Sequence, residues 1–118
     1  MFFDQIAASE EEIAGQKVKM LFTLGAAAKM ESELQTPYPE LVLEFMQLNP
    51  EGKKAEHAMA VGRQAKVIRI LMAEAGQAVT EDDLKKLHML DFAALARMAQ
   101  REMVLKSPSG NAKKNAEP

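Results

Sequence analysis

The sequence lacks cysteine and tryptophan, and it has few aromatic residues of any kind, with five Phe and one Tyr in 118 residues. The absence of cysteine excludes disulfides and thiolate chemistry, and therefore a disulfide-stabilised secreted scaffold. No apolar run reaches the roughly 18 residues that a membrane-spanning helix requires. The first residues also lack the basic region of a signal peptide. We therefore expect a cytoplasmic protein with no membrane partner.

Groups that could carry catalysis or bind a metal ion are also scarce. The two histidines, His57 and His88, are far apart and belong to no metal-ligand spacing. The acidic runs 10–12 and 81–83 point consecutive carboxylates in different directions on a helix, which favours solvated helix starts over a catalytic pair. No glycine-rich phosphate loop or nucleophile elbow is present. We expect no enzymatic activity, and no catalytic, cofactor-binding or metal site.

Apolar residues and methionine are what the chain has in quantity. An apolar fraction of 47% is typical of a globular protein, and 118 residues are enough for one domain with a hydrophobic core. Nine residues are methionine. Because methionine is flexible and polarisable, it suits an irregular core and equally an adaptable binding groove. The sequence leaves both interpretations open.

The charge is small overall and unevenly distributed along the chain. The net charge is −2, but residues 1–50 carry eight acidic and three basic residues, whereas residues 104–118 carry three basic and one acidic residue. A mildly acidic chain is a poor candidate for broad phosphate binding. Regions of opposite charge favour self-association, so a homo-oligomer is one expectation.

Apolar periodicity at three and four residues predicts helices over most of the chain. Pro39 marks the first position of one predicted helix, and Thr80 and Asp91 are the predicted N-caps of the last two. Gly76 is a natural residue to follow a helix end. The predicted helices are 24–35, 39–48, 53–75, 81–88 and 92–104. The polar segment 106–118 is predicted to be a flexible tail, following a single domain over residues 1–105.

The N-terminal region allows two interpretations. Residues 17–23 alternate apolar and polar side chains, which favours a short strand, but their apolar residues also fit a helical stripe. Residues 1–16 fit one or two helical turns, because Ser9 and Glu12 have capping-box spacing, or the first arm of a hairpin. The predicted fold is therefore mainly α, a small domain of about five helices, with a short strand or hairpin near residues 10–23.

Two segments together resemble a known family. The first comprises residues 17–34 (KVKMLFTLGAAAKMESEL) and residues 39–43 (PELVL), and the second is residues 68–87 (IRILMAEAGQAVTEDDLKKL). They are similar to tail assembly chaperones of long-tailed bacteriophages and gene transfer agents, with residues 91–95 (DFAAL) matching the closing helix. The similarity covers residues 17–103. It consists of helix starts, helix ends and apolar positions, without a chemical motif.

The resemblance implies a definite role. Such chaperones coat the long helical tape-measure protein before the tail tube polymerises, help to recruit tail tube protein, and are absent from the mature virion. A programmed ribosomal frameshift near the end of the gene often yields a longer product, and Lys113 and Lys114 are the kind of residues that slippery codons produce. For this chain the resemblance implies the host cytoplasm as location and protein partners in place of cofactors.

A client that is a long amphipathic helix would lie in an apolar groove between helices. Large apolar residues on the predicted helices are the candidates for such a groove. The candidate partner-binding residues are Phe45, Met46, Met59, Met72, Phe92 and Met98.

Residues 67–103 also fit a helix-turn-helix regulator, whose last helix would enter the major groove of DNA with Arg97 and Arg101 exposed. The acidic composition and the absence of base-reading side chains after Asp91 count against nucleic acid as a partner. The stripe Arg63, Lys66 and Arg69 is interpreted as a solvated polar face. Another phage or bacterial protein-interaction module is the third alternative.

Overall fold

The computed structural model describes residues 7–47 and 60–106. Within these ranges, a two-stranded antiparallel hairpin precedes five helices. The strands are β1 (Ser9–Ile13) and β2 (Gln16–Met20), and the helices are α1 (Leu24–Leu34), α2 (Tyr38–Met46), α3 (Val61–Glu74), α4 (Glu81–Lys85) and α5 (Met89–Lys106). The predicted fold class, mainly helical with a hairpin near residues 10–23, is confirmed.

The hairpin turns through Ala14 and Gly15, whose φ angles of 54° and 76° are both positive. Positive φ at both central residues defines the tight two-residue turn that suits the right-handed twist of paired strands. The strands then pair so that alternate residues face the helices, and Val18 and Met20 of β2 are buried. The strand interpretation of residues 17–23 is therefore correct for their first part, and Ser9 belongs to β1 and caps no helix.

The side-chain amide of Gln77 closes the outer edge of β2. It accepts a hydrogen bond from Lys19 N at 2.7 Å and donates one to Lys17 O at 3.0 Å. These are the backbone groups that point away from β1, so the amide takes the place of a neighbouring strand. Gln77 follows a glycine-terminated helix end, where Gly76 has a φ of 90° and Gln77 N donates to Met72 O. The helix end therefore positions the amide against the hairpin.

Helices α3 and α5 form the centre of the molecule. Helix α3 packs against α1, α4, α5 and β2, while α5 packs against α2 and both strands. Four large side chains in the middle of α3 are buried: Val67, Ile68, Ile70 and Leu71. Burial on more than one side is the pattern of a helix enclosed by neighbours on several faces. The remaining elements are therefore held chiefly by their contacts with these two helices.

The basic stripe of α3 pins its neighbours and does not point freely into solvent. Arg63 binds Glu44 of α2 at 2.9 Å, and Arg69 forms ion pairs with Glu33 of α1 and, at 3.3 Å, with Glu81. The Arg63 and Arg69 side chains are only 32% and 24% exposed. The favoured interpretation of this stripe as a solvated face needs correction, because these side chains join α1, α2 and α4 to α3.

Glu102 of α5 is fully buried and ties that helix to the hairpin and to the start of α1. Its carboxyl oxygens accept hydrogen bonds from the Ser9 hydroxyl and, at 2.8 Å, from Phe22 N. The next residue along the chain, Thr23, caps α1 by accepting from Ala26 N and donates its hydroxyl to Glu74 Oε1 at 2.6 Å. Two glutamates on two helices therefore hold the connection between the hairpin and α1.

Several predicted boundaries differ from the observed ones. Helix α5 starts at Met89 rather than after Asp91, because His88 Nδ1 accepts from Leu90 N at 3.1 Å and so satisfies one of the free N–H groups of the first turn. Helix α4 ends at Lys85, three residues before the predicted end. The beginning of the predicted helix 53–75, Met59 and the tail beyond Lys106 lie outside the described residues.

Among the described residues, no helix is both long enough and apolar enough to cross a membrane.

Candidate protein-binding surface

The six candidate partner-binding residues occupy different environments. The core holds three of them: Phe45, Met72 and Met98. Met46 is 52% exposed on α2, and Phe92 is half-buried near the start of α5. Met59 lies outside the described residues. Because buried side chains cannot reach a partner without a rearrangement of the core, Met46 and Phe92 are the two of the five described candidates that can line a surface groove.

Phe92 lies in an apolar groove of about 320 Å³. Its walls come from the start of α3, from α4 and the residues after it, and from the start of α5. The lining includes Val61, Leu84, Lys85, Leu87, Met89 and Phe92. We call this cavity the α3–α5 groove. Its volume is at the lower end of the range for small-molecule sites, and an open cleft of this size accommodates one or two large apolar side chains.

The rim of the α3–α5 groove exposes large apolar side chains. Met89 is 83% exposed and Val61 is 57% exposed, and the adjacent Leu90 is 73% exposed. Single exposed apolar residues are common on soluble proteins, but a cluster at the mouth of a cleft marks an interaction surface. The groove therefore has the composition of a docking site for another apolar surface.

Helix α4 is short, and specific polar contacts hold it as one wall of the groove. Thr80 and Asp83 form a reciprocal capping box, with Asp83 N donating to Thr80 Oγ1 at 3.0 Å and Thr80 N donating to Asp83 Oδ2 at 3.1 Å. The Thr80 backbone N–H, followed by the Thr80 hydroxyl, lowers the pKa of Asp83. Leu84, one turn later, is buried against the core. The cap therefore fixes the direction in which α4 presents Lys85 to the groove.

Glu81 links α4 to α3 through two basic residues. Its Oε2 lies 3.2 Å from Lys66 Nζ and 3.3 Å from Arg69 Nε. Partial burial acts to raise the pKa of Glu81, but the hydrogen bonds and charges of Lys66 and Arg69 outweigh it and hold this pKa below its ordinary value. The ion pairs are partly exposed to solvent, so their contribution to stability is modest.

We expect the ion pairs between Glu81 and α3 to make the free energy of unfolding decrease as the pH is lowered. A carboxyl with a lowered folded-state pKa stabilises the fold above its unfolded pKa of 4.5, and this stabilisation is lost as pH falls through the folded value. Glu81→Gln should therefore lower the free energy of unfolding at pH 7 by about 1 kcal/mol or less. Urea titrations at pH 7 and below pH 4 provide the measurement, and the difference between variant and wild type should shrink at the lower pH. A constant difference would contradict the assignment.

A second apolar cleft lies at the other end of α5. Met46, Val104 and Leu105 line it together with Gln100 and Arg101, and its volume is about 410 Å³. Leu105 is 58% exposed. Met46 and Leu43, which lie one turn apart on α2, are exposed to a similar extent. Helix α5 therefore carries an apolar cleft near each end.

Within residues 7–47 and 60–106, no three His, Cys, Asp or Glu side chains lie close enough together to hold a metal ion. The hydroxyls of Ser9, Thr23 and Thr80 are occupied by the structural hydrogen bonds described above. What the surface offers chemically is apolar contact area flanked by charged side chains.

Sequence reasoning missed the residues that line the α3–α5 groove apart from Phe92. Val61, Leu84 and Leu87 lie within the predicted helices 53–75 and 81–88, and apolar periodicity does not indicate which apolar residues of a helix line a surface groove. Met89 and Leu90 carried a usable signal, because they are two adjacent large apolar residues between the predicted helices 81–88 and 92–104, where connecting residues are usually polar. The same pair counts against the helix-turn-helix alternative, because the first turn of α5 presents Met89 and Leu90 in place of base-reading side chains.

Comparisons of the chain with protein-family models, curated proteins and solved structures found no match.

Proposed function

We propose that this chain is a tail assembly chaperone of the bacteriophage and gene transfer agent type, which binds the tape-measure protein during tail morphogenesis and recruits tail tube protein. The observation that carries the proposal is the α3–α5 groove with Met89 and Val61 exposed at its rim. The pattern of helix starts and apolar positions in residues 17–103 supports the choice of family.

A groove of this kind suits a client with a repeated apolar stripe. An amphipathic helix buries anchors at every third or fourth residue, so one groove can engage any turn of a long helix. Methionine at the rim adapts to anchors of different shape, because its side chain has three rotatable bonds. The exposed fraction of Met89, 83%, leaves most of that side chain available for contact.

Co-expression with the tape-measure protein from the same gene cluster tests the proposal. The wild-type chain should keep the client soluble and co-purify with it. Met89→Asp should weaken binding by roughly tenfold or more, because it replaces an apolar contact with a charge that must be desolvated. The fraction of soluble client and the yield of co-purified complex are the measurements.

Leu24→Asp is the matched control for this variant. Leu24 is 84% exposed and is the first residue of α1, as Met89 is the first residue of α5, so the two substitutions are equivalent in exposure and position. The control should bind the client as the wild type does. Equal client solubility with Met89→Asp and Leu24→Asp would refute a role for the α3–α5 groove, and failure of the wild-type chain to retain the client would refute the function.

A further inference from the structure

The solvent-facing side of α5 has an unusual composition. Successive helical residues are 100° apart, so the buried residues Leu95, Met98 and Ala99 define an opposite side that faces outward. We use the name outer face of α5 for Leu90 together with the row of residues spaced four apart on this side, which comprises Met89, Ala93, Arg97, Arg101 and Leu105. None of these six residues is acidic, and three are large apolar side chains that are 58–83% exposed. An exposed helix side is normally covered by polar residues of both charges.

The positive charge on the outer face of α5 lies at its centre. Arg97 is eight residues from both Met89 and Leu105, which corresponds to about 12 Å along the helix in each direction. It takes part in none of the ion pairs formed by residues 7–47 and 60–106. Arg101, one turn later, pairs with Glu11 of β1. The face therefore presents apolar ends around an arginine that is available to a partner.

The α3–α5 groove adjoins the first end of the outer face, and the second cleft adjoins the last end. Met89 lines the groove, and Leu105 lines the cleft. The distance between them along α5 is about 24 Å, the length of four to five helical turns. The two residues end one row of side chains spaced four apart, which is inclined to the helix axis and places them about 160° apart around it. A partner helix that crosses α5 obliquely along this row can therefore contact both sites.

Charge and backbone chemistry decide between the possible occupants. A second copy of the chain, packed antiparallel on the same face, would place Arg97 against its own equivalent, and like charges at an interface are repulsive. An extended segment would leave backbone N–H and C=O groups unsatisfied against apolar side chains, whereas a helix satisfies its own. Duplex DNA offers phosphates to Arg97 but nothing to the exposed Leu90 and Leu105.

We propose that the outer face of α5 is the docking surface for an amphipathic helix with apolar ends and an acidic centre. The inference names the chemistry of the partner, and it rests on the proposed function only in requiring that the chain bind proteins. Apolar residues of the partner helix fill the α3–α5 groove and the cleft at Leu105, and its central carboxylates pair with Arg97. Helix-on-helix packing along this face follows from rows of side chains spaced at three and four residues.

Two designed peptides test the proposal. Both are 20-residue amphipathic helices with leucines in the first and last turns, and they differ only in carrying three glutamates or three lysines in the central turns. Titration calorimetry of the full chain should show the glutamate peptide binding about tenfold or more tightly than the lysine peptide. Arg97→Glu should reverse this preference. Because Arg97 is exposed, the variant should retain the wild-type circular dichroism spectrum.

Lys29→Glu provides the control, since it makes the same change of charge at an exposed position of α1. It should leave the preference for the glutamate peptide intact. Equal affinity for the two peptides, or an unchanged preference in Arg97→Glu, overturns the proposal, as does a dimer that forms through α5 or a preference of this face for duplex DNA. Peptide selectivity without tape-measure binding refutes the proposed function alone, whereas tape-measure binding lost in Met89→Asp together with unselective peptide binding refutes this inference alone.

Discussion

Glu102→Ala should lower the free energy of unfolding by about 2–4 kcal/mol. The substitution removes the acceptor of the hydrogen bond from Phe22 N, which is buried, and an unsatisfied buried donor costs about 1–3 kcal/mol. It also removes the acceptor of the Ser9 hydroxyl and leaves a cavity in a fully buried position of α5. Urea denaturation followed by circular dichroism at 222 nm provides the measurement.

Glu102→Gln separates the loss of hydrogen bonds from the loss of volume. The amide oxygen can still accept from Phe22 N, and the amide nitrogen can donate to Ser9, whose hydroxyl also accepts. This variant should therefore be clearly more stable than Glu102→Ala. Equal stability of Glu102→Ala and the wild type would show that the carboxyl group does not connect α5 to the hairpin.

The buried position of Glu102 illustrates a limit of reasoning from sequence. The residue lies four positions after Met98 and three after Ala99, on the stripe that is buried in α5. A charged residue within an apolar stripe was therefore the available signal. Its partners could not be inferred, because Ser9 and Phe22 are more than 75 residues away and their contacts depend on the tertiary fold.

Local chemistry explains the elements that were predicted well. The Thr80 cap and the helix end before Gly76 depend on side chains and backbone angles within a few residues, so the sequence contains what determines them. The predicted start of α5 is wrong because His88 supplies the capping acceptor, a role that aspartate fills more often in proteins. Boundaries therefore fail where two local solutions compete.

The candidate site is harder to predict from the sequence than the fold, because the exposure of a side chain depends on which parts of the chain cover it. Met20, Met30, Met72, Met98 and Met103 fill the core, whereas Met46 and Met89 are exposed. All seven lie at apolar positions of a strand or a helix, so periodicity cannot separate them. Both interpretations of methionine, core filling and groove lining, therefore apply to this protein at different positions.

Among the candidate partner-binding residues that the structure describes, Phe45 should give the largest loss of stability when it is replaced by Ala. Phe45 is fully buried in α2, and truncation of a buried phenylalanine costs about 3–5 kcal/mol through lost apolar contacts and the cavity that is left. For a domain of this size, we expect the thermal midpoint to fall by more than about 10 °C. Differential scanning calorimetry provides the measurement.

Met46→Ala is the control for Phe45→Ala, because the adjacent side chain on the same helix is 52% exposed. Its thermal midpoint should stay within about 3 °C of the wild type, since exposed substitutions usually change stability by less than about 0.5 kcal/mol. A midpoint for Phe45→Ala as high as that of Met46→Ala would contradict the core position of Phe45. The pair also bears on binding, because Met46 lines the cleft at the end of α5 and Phe45 does not. A loss of affinity in Met46→Ala with unchanged stability would therefore be an effect on the binding surface alone.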